Sequence, residues 1–186
     1  MGVKDEGGSD DTCRAISENA AYREAYELLA GALKQFPKEM WQYKPGPDRW
    51  SIHEIIVHIT DSEVNSYIRC RRFIAETGKT VMAYDENRWA DLLNYHGQNP
   101  EDALELFRLL RRMSHRLIKD LPDAVWSNTV EHPENGIMSM DDWLGVYTAH
   151  VTQHIQQMQV THAAWLAEKK GQRPDPETSL FKFSEK

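Results

Sequence analysis

His150 and His154 stand four residues apart in a segment that reads as one long helix, so their imidazoles project from adjacent turns. Trp143, Val146, Tyr147, His150, His154, Met158, Thr161 and Trp165 advance by threes, fours and sevens, which puts both histidines on the apolar stripe. Two imidazoles so placed can reach one cation, and neutral imidazole is a common ligand of zinc, nickel, copper and iron. The same pair could equally be hydrogen-bonded residues of the core, and among eight histidines a spacing of four arises by chance roughly 0.3 times. A metal site needs a third ligand.

His58 is the candidate, because it lies in a second helical segment between Ile55 and Ser62, on the face of the apolar run that begins at Ile52. His53 falls in the first turn of that helix, His96 and His132 fall in loops, and His115 has polar neighbours, so all four read as surface residues. His162 lies two turns past His154 and drifts about 80° around the helix, out of line with the pair. Glu63, Asp61 and Gln157 are candidates for orienting a histidine ring or a bound water, although Asp61 and Glu63 read equally as solvated charges on an outer helix face. Between His150 and His154 stand Val151, Thr152 and Gln153, with no glutamate after the first histidine to serve as the base of a zinc protease. Cys70 follows the pattern of a packed helical residue, and the tryptophans at positions 50, 89, 143 and 165 read as core or cavity lining.

Four helices can position these residues. The first carries Ala20, Ala25, Leu29 and Leu33 at helical spacing and ends before Pro37. Lys44 to Asp48, with Pro45 and Pro47, must be a loop. Ser51 and Glu54 form a capping-box pattern that opens the second helix, with Gly78 as its stop. Residues 79–98 read as a long connection with a short helix near Asp85 to Leu93. Asn99-Pro100 starts the third, whose apolar stripe is Leu104, Phe107, Leu110, Met113 and Leu117. A loop over 122–138 follows, and Ser139 with Asp142 opens the fourth helix, closed by Lys169, Lys170 and Gly171. No segment reads as an alternating strand. The fold class expected is all-α, a four-helix bundle with long connections over residues 16–170, between a flexible leader (1–15) and a C-terminal tail (171–186).

With 186 residues, one domain with one core is expected. The net charge of -7 and the lack of a basic block argue against nucleic acid as a partner. No apolar run is long enough to span a membrane, and two cysteines, Cys13 and Cys70, do not make a disulfide framework, so a cytoplasmic protein is expected.

The segments Arg49-Trp50-Ser51-Ile52, His58-Ile59-Thr60-Asp61-Ser62-Glu63 and Tyr147-Thr148-Ala149-His150-Val151-Thr152-Gln153-His154-Ile155-Gln156-Gln157 resemble the DinB/YfiT-like superfamily. The resemblance covers about residues 18–168, and the Asp85-Glu86 and Trp89 segment and the Gly136 turn resemble its YfiT-type branch. It implies an up-down-down-up bundle, often a homodimer, with one divalent zinc or nickel ion on His58, His150 and His154. Relatives of this kind include thiol transferases and proteins described as metal-dependent hydrolases. The absent base between His150 and His154, taken with the resemblance, favours activation of a low-molecular-weight thiol for S-transfer to an electrophilic small molecule. Hydrolysis by a metal-activated water and a non-catalytic metal-binding stress protein are the alternatives.

Overall fold

A computed structural model describes residues 8–171, with side chains from residue 18 onward; residues 1–7 of the leader and 172–186 of the tail lie outside the described residues. In chain order the elements are α1 (Gly8–Leu33), α2 (Ile52–Ala75), α3 (Glu86–Leu92), α4 (Pro100–Ile118), α5 (Asp123–Trp126), β1 (Thr129–His132), β2 (Gly136–Ser139) and α6 (Met140–Lys169). Helix α1 begins at Gly8, inside the stretch read from sequence as a leader. Ser9, Asp10 and Asp11 are residue types that a helix start favours.

The long helices α1, α2, α4 and α6 form the bundle. Helix α2 packs against α4 and α6, and so does α1, which leaves the consecutive helices α1 and α2 across a diagonal. Thr60 reaches Ala103 and Glu63 reaches Arg111, so α2 and α4 run parallel. Arg69 reaches Tyr147 while His58 faces His150 and His154, so α2 and α6 run antiparallel. The order is therefore up-down-down-up. Two parallel neighbours joined in sequence need a connection that runs back along the bundle, which is why residues 76–99 are long and carry α3.

The predicted helix starts are present. Ser51 Oγ accepts from Glu54 N–H at 3.2 Å while Glu54 Oε2 accepts from Ser51 N–H at 2.8 Å, and Ser139 and Asp142 make the same reciprocal pair for α6. Asn99 Oδ1 accepts from the amides of Glu101 and Asp102, with Pro100 as first helical residue. Gly78 has φ of 78°, a left-handed conformation that a side chain would strain.

Three expectations change. The segment 122–138 is not only loop: α5 and an antiparallel hairpin occupy it, with Thr129 opposite Ser139 and His132 opposite Gly136. Its strands are four residues each, too short for an alternating pattern to register. The buried face of α4 is Phe107, Arg111, Ser114 and Ile118, whereas Met113 and Leu117 of the predicted stripe are 48% and 39% exposed. The bundle draws Arg111 inward because Glu63 pairs with it there. Finally, every residue from Ile52 to Thr60 is buried, since α3 and Tyr95 cover the side of α2 that the bundle leaves open. Among the described residues no helix is long and apolar enough to cross a membrane.

Candidate metal centre

The antiparallel packing of α2 on α6 brings His58 to His150 and His154, and their candidate donor atoms all lie within 4.8 Å of one another. All three residues are buried, at 0%, 4% and 6% exposure. His150 Nε2 and His154 Nε2 are 3.0 Å apart. Tetrahedral zinc with Zn–N bonds of the usual length places donor nitrogens about 3.3 Å apart, so the pair stands close to ligand spacing. His154 Nδ1 lies 2.9 Å from Gln157 Oε1, a carbonyl oxygen that can only accept. Nδ1 of His154 therefore carries the proton, and its Nε2 lone pair faces His150. A set of three imidazoles, one already locked in the ligating tautomer, fits a borderline divalent ion. Trp50 covers the cluster, with its ring centroid 4.6 Å from that of His58 and 6.5 Å from that of His154.

The candidates for orienting groups separate. Gln157 binds a histidine. Asp61, half-buried, accepts from the Tyr95 hydroxyl at 2.6 Å, and burial, partly offset by that bond, raises its pKa. Glu63 is not a solvated charge: it is 1% exposed, pairs with Arg111 Nη2 at 2.6 Å and accepts from Tyr22 Oη at 2.7 Å. Burial raises its pKa against the opposing pull of Arg111 and Tyr22. Arg111 Nη1 also donates to the Tyr147 carbonyl at 3.0 Å. This network thus joins Tyr22 on α1, Glu63 on α2, Arg111 on α4 and the backbone of α6. It holds in register the two helices that carry the histidines.

Two histidines read as surface are buried. His53 Nε2 lies 2.7 Å from the Gln98 carbonyl, and His132, at the end of β1, is 5% exposed. Cys70 is fully buried and its thiol is pushed by burial up to about 12, so it is not a nucleophile.

A cleft of about 470 Å³ opens over His150, walled by Glu86, Tyr84, Arg69, Tyr147, His132 and Gln153 among others. Sequence reasoning missed Glu86. Its Oε2 is 3.9 Å from His58 Nε2, delivered by α3, which begins after the cap of Asp85 on Arg88 N–H. Among the described residues the close donor cluster holds only the three histidines, so Glu86 stands beside it rather than in it. The sequence offers a short helix near Asp85 to Leu93, but nothing in it shows which way Glu86 turns.

OB0782 of Oceanobacillus iheyensis, provisionally named a metal-dependent hydrolase, is 33% identical over 106 residues, 57% of this chain and 61% of that protein. YfiT of Bacillus subtilis is 27% identical over 137 residues, 73% of each chain. The solved structure of YfiT, described as a probable metal-dependent hydrolase with an unusual four-helix bundle topology, superposes with a TM-score of 0.74 over 92% of this chain and 94% of that one. At 21% identity this likeness establishes the fold. The model of the DinB superfamily matches residues 21–158, and with the bundle and its three histidines in place, the chain belongs to the DinB superfamily.

Proposed function

We propose that this chain is a metal-dependent hydrolase of small molecules, holding one divalent ion, zinc or nickel, on His58, His150 and His154. The observation that carries the reading is the buried three-imidazole cluster, one member of which, His150, lines an open cleft together with Glu86. When bound, such an ion supplies Lewis acidity that lowers the pKa of a water or thiol in its open position. Gln157 keeps His154 in the ligating tautomer, and Trp50 shields the imidazoles from solvent. In this reading Glu86, whose Oε2 is 3.9 Å from His58 Nε2, accepts the proton of the attacking water and returns it to the leaving group. Its presence meets the need for a base that the sequence between His150 and His154 leaves open. The cleft gives the access that a purely structural ion does not require, and the names of OB0782 and YfiT agree with hydrolysis.

S-transfer from a low-molecular-weight thiol to an electrophile is the second reading. It is favoured by the absence of a base on α6 itself, since Val151, Thr152 and Gln153 separate the two histidines and an acidified thiol loses its proton without one.

Elemental analysis of untagged protein tests the ion: near-stoichiometric metal in wild type and its loss in His58→Ala and His150→Ala are expected, and metal surviving both substitutions refutes the site. Metal-loaded protein is then assayed on simple esters and amides. Cleavage without added thiol supports hydrolysis. Turnover of an electrophile only with a small thiol, together with a thiolate absorption band on the cobalt form, supports the transferase instead.

A further inference from the structure

The proposed hydrolase site has a second polar feature on its wall. Arg69 is three helical turns past His58, on the same face of α2. Its Nη1 donates to the Tyr147 hydroxyl at 3.0 Å and its Nη2 to the Met82 carbonyl at 2.7 Å. No carboxylate pairs with it among the described residues, and Nε is sealed from solvent without a hydrogen-bond partner. Tyr147 belongs to the turn of α6 before His150, with ring centroids 6.2 Å apart, so the guanidinium is anchored near the histidines.

His132 stands on the same wall. Its Nδ1 accepts from the backbone N–H of Glu134 and of Asn135, both at 3.3 Å, so the ring proton sits on Nε2. No described group accepts from Nε2. Burial first, and Arg69 second, hold the pKa of His132 below the ordinary histidine value, which keeps this donor neutral. The wall thus presents one fixed cation and one fixed neutral N–H donor.

We propose that Arg69 and His132 form an anion subsite that takes the carboxylate of a small substrate whose reacting group lies at the three histidines. A singly charged group suits it better than a phosphate dianion, because Asp85, Glu86 and Glu134 line the same cleft and repel added negative charge. The guanidinium gives a charge-assisted hydrogen bond and His132 a second, which together set substrate class and orientation. The inference rests on the proposed function for what happens at the histidines, but the subsite itself needs no ion.

The test uses full-length, metal-free, isotopically labelled protein at pH 8, where ordinary imidazoles are neutral. Sodium butyrate, butyramide and methyl phosphate are titrated in turn while the Arg69 Nε–H and His132 ring resonances are followed. Butyrate is expected to bind about tenfold more tightly than butyramide, as a charge-assisted hydrogen bond warrants, and more tightly than methyl phosphate. The preference should fall below about threefold in Arg69→Met and weaken in His132→Gln. Equal affinity for butyrate and butyramide in wild type overturns the subsite without recourse to any variant. So does a preference that survives Arg69→Met, while tighter binding of methyl phosphate overturns the substrate class. Failure of the metal reading would show separately, in the elemental analysis.

Discussion

Replacing Arg111 with methionine removes the cation that pairs with Glu63 inside the bundle. Both side chains are 1% exposed and their charged atoms are 2.6 Å apart, so the variant leaves a buried carboxylate with only the Tyr22 hydroxyl as partner. Breaking a buried pair from one side costs about 3–5 kcal/mol. For a chain of this size each kcal/mol lowers Tm by roughly 3 °C, so the expected loss is about 9–15 °C at neutral pH. The double variant Glu63→Gln with Arg111→Met, which leaves no buried charge, should recover about half of it. The pH dependence has a definite sign. Burial already holds the Glu63 pKa above its ordinary value, and loss of Arg111 removes the main opposing pull. A carboxyl whose folded pKa exceeds its unfolded one binds more protons folded than unfolded, so stability falls as pH rises through the folded value. The deficit of the variant should therefore be greatest at neutral pH and shrink on acidification toward the ordinary carboxylate range. Zinc affinity should fall as well, because the network holds α2 and α6 in register. Thermal unfolding monitored by circular dichroism from pH 5 to 8 reads the effect. A Tm within about 3 °C of wild type, or a double variant no more stable than the single one, would refute the reasoning.

Gln157→Leu deletes the acceptor on His154 Nδ1 and should weaken zinc binding about 10–100-fold by chelator competition, with little change in the Tm of the metal-free protein; affinity within threefold of wild type would remove Gln157 from the site. Glu86→Gln should retain metal yet lose about 10²–10⁴-fold in kcat on any ester that the wild type cleaves, and unchanged kcat would show that the base lies elsewhere. Cys70, with its thiol pushed up to about 12 by burial, should resist Ellman's reagent at pH 8 in native protein and react once the chain is unfolded; mass spectrometry after limited labelling checks which cysteine reacts.

Much of the bundle is legible in local sequence. Capping pairs act between residues three apart, so Ser51 with Glu54 and Ser139 with Asp142 announce helix starts that the tertiary structure leaves in place. Periodicity likewise puts His150 and His154 on one stripe and His58 on another, because a helix repeats at 3.6 residues whatever surrounds it. That these two stripes meet, and that the donor atoms of all three histidines come within 4.8 Å, depends on the antiparallel packing of α2 against α6.

Glu63, Arg111, Glu86, Arg69 and His132 mark the boundary of that legibility. A carboxylate on a helix reads as solvated until another helix supplies a buried cation, and Arg111 comes from a helix whose own apolar pattern pointed to a different face. Glu86 reaches His58 only because the connection after α2 runs back along the bundle, and His132 takes its tautomer from amides of a hairpin too short to show a strand pattern. The helices, their ends and the three imidazoles follow from interactions within a few residues, which sequence records directly. Burial of the Glu63 charge and the approach of Glu86 and Arg69 to the histidines follow from contacts between segments distant in the chain, such as Tyr22 with Glu63 and Arg69 with Tyr147, and those exist only once the up-down-down-up packing has formed.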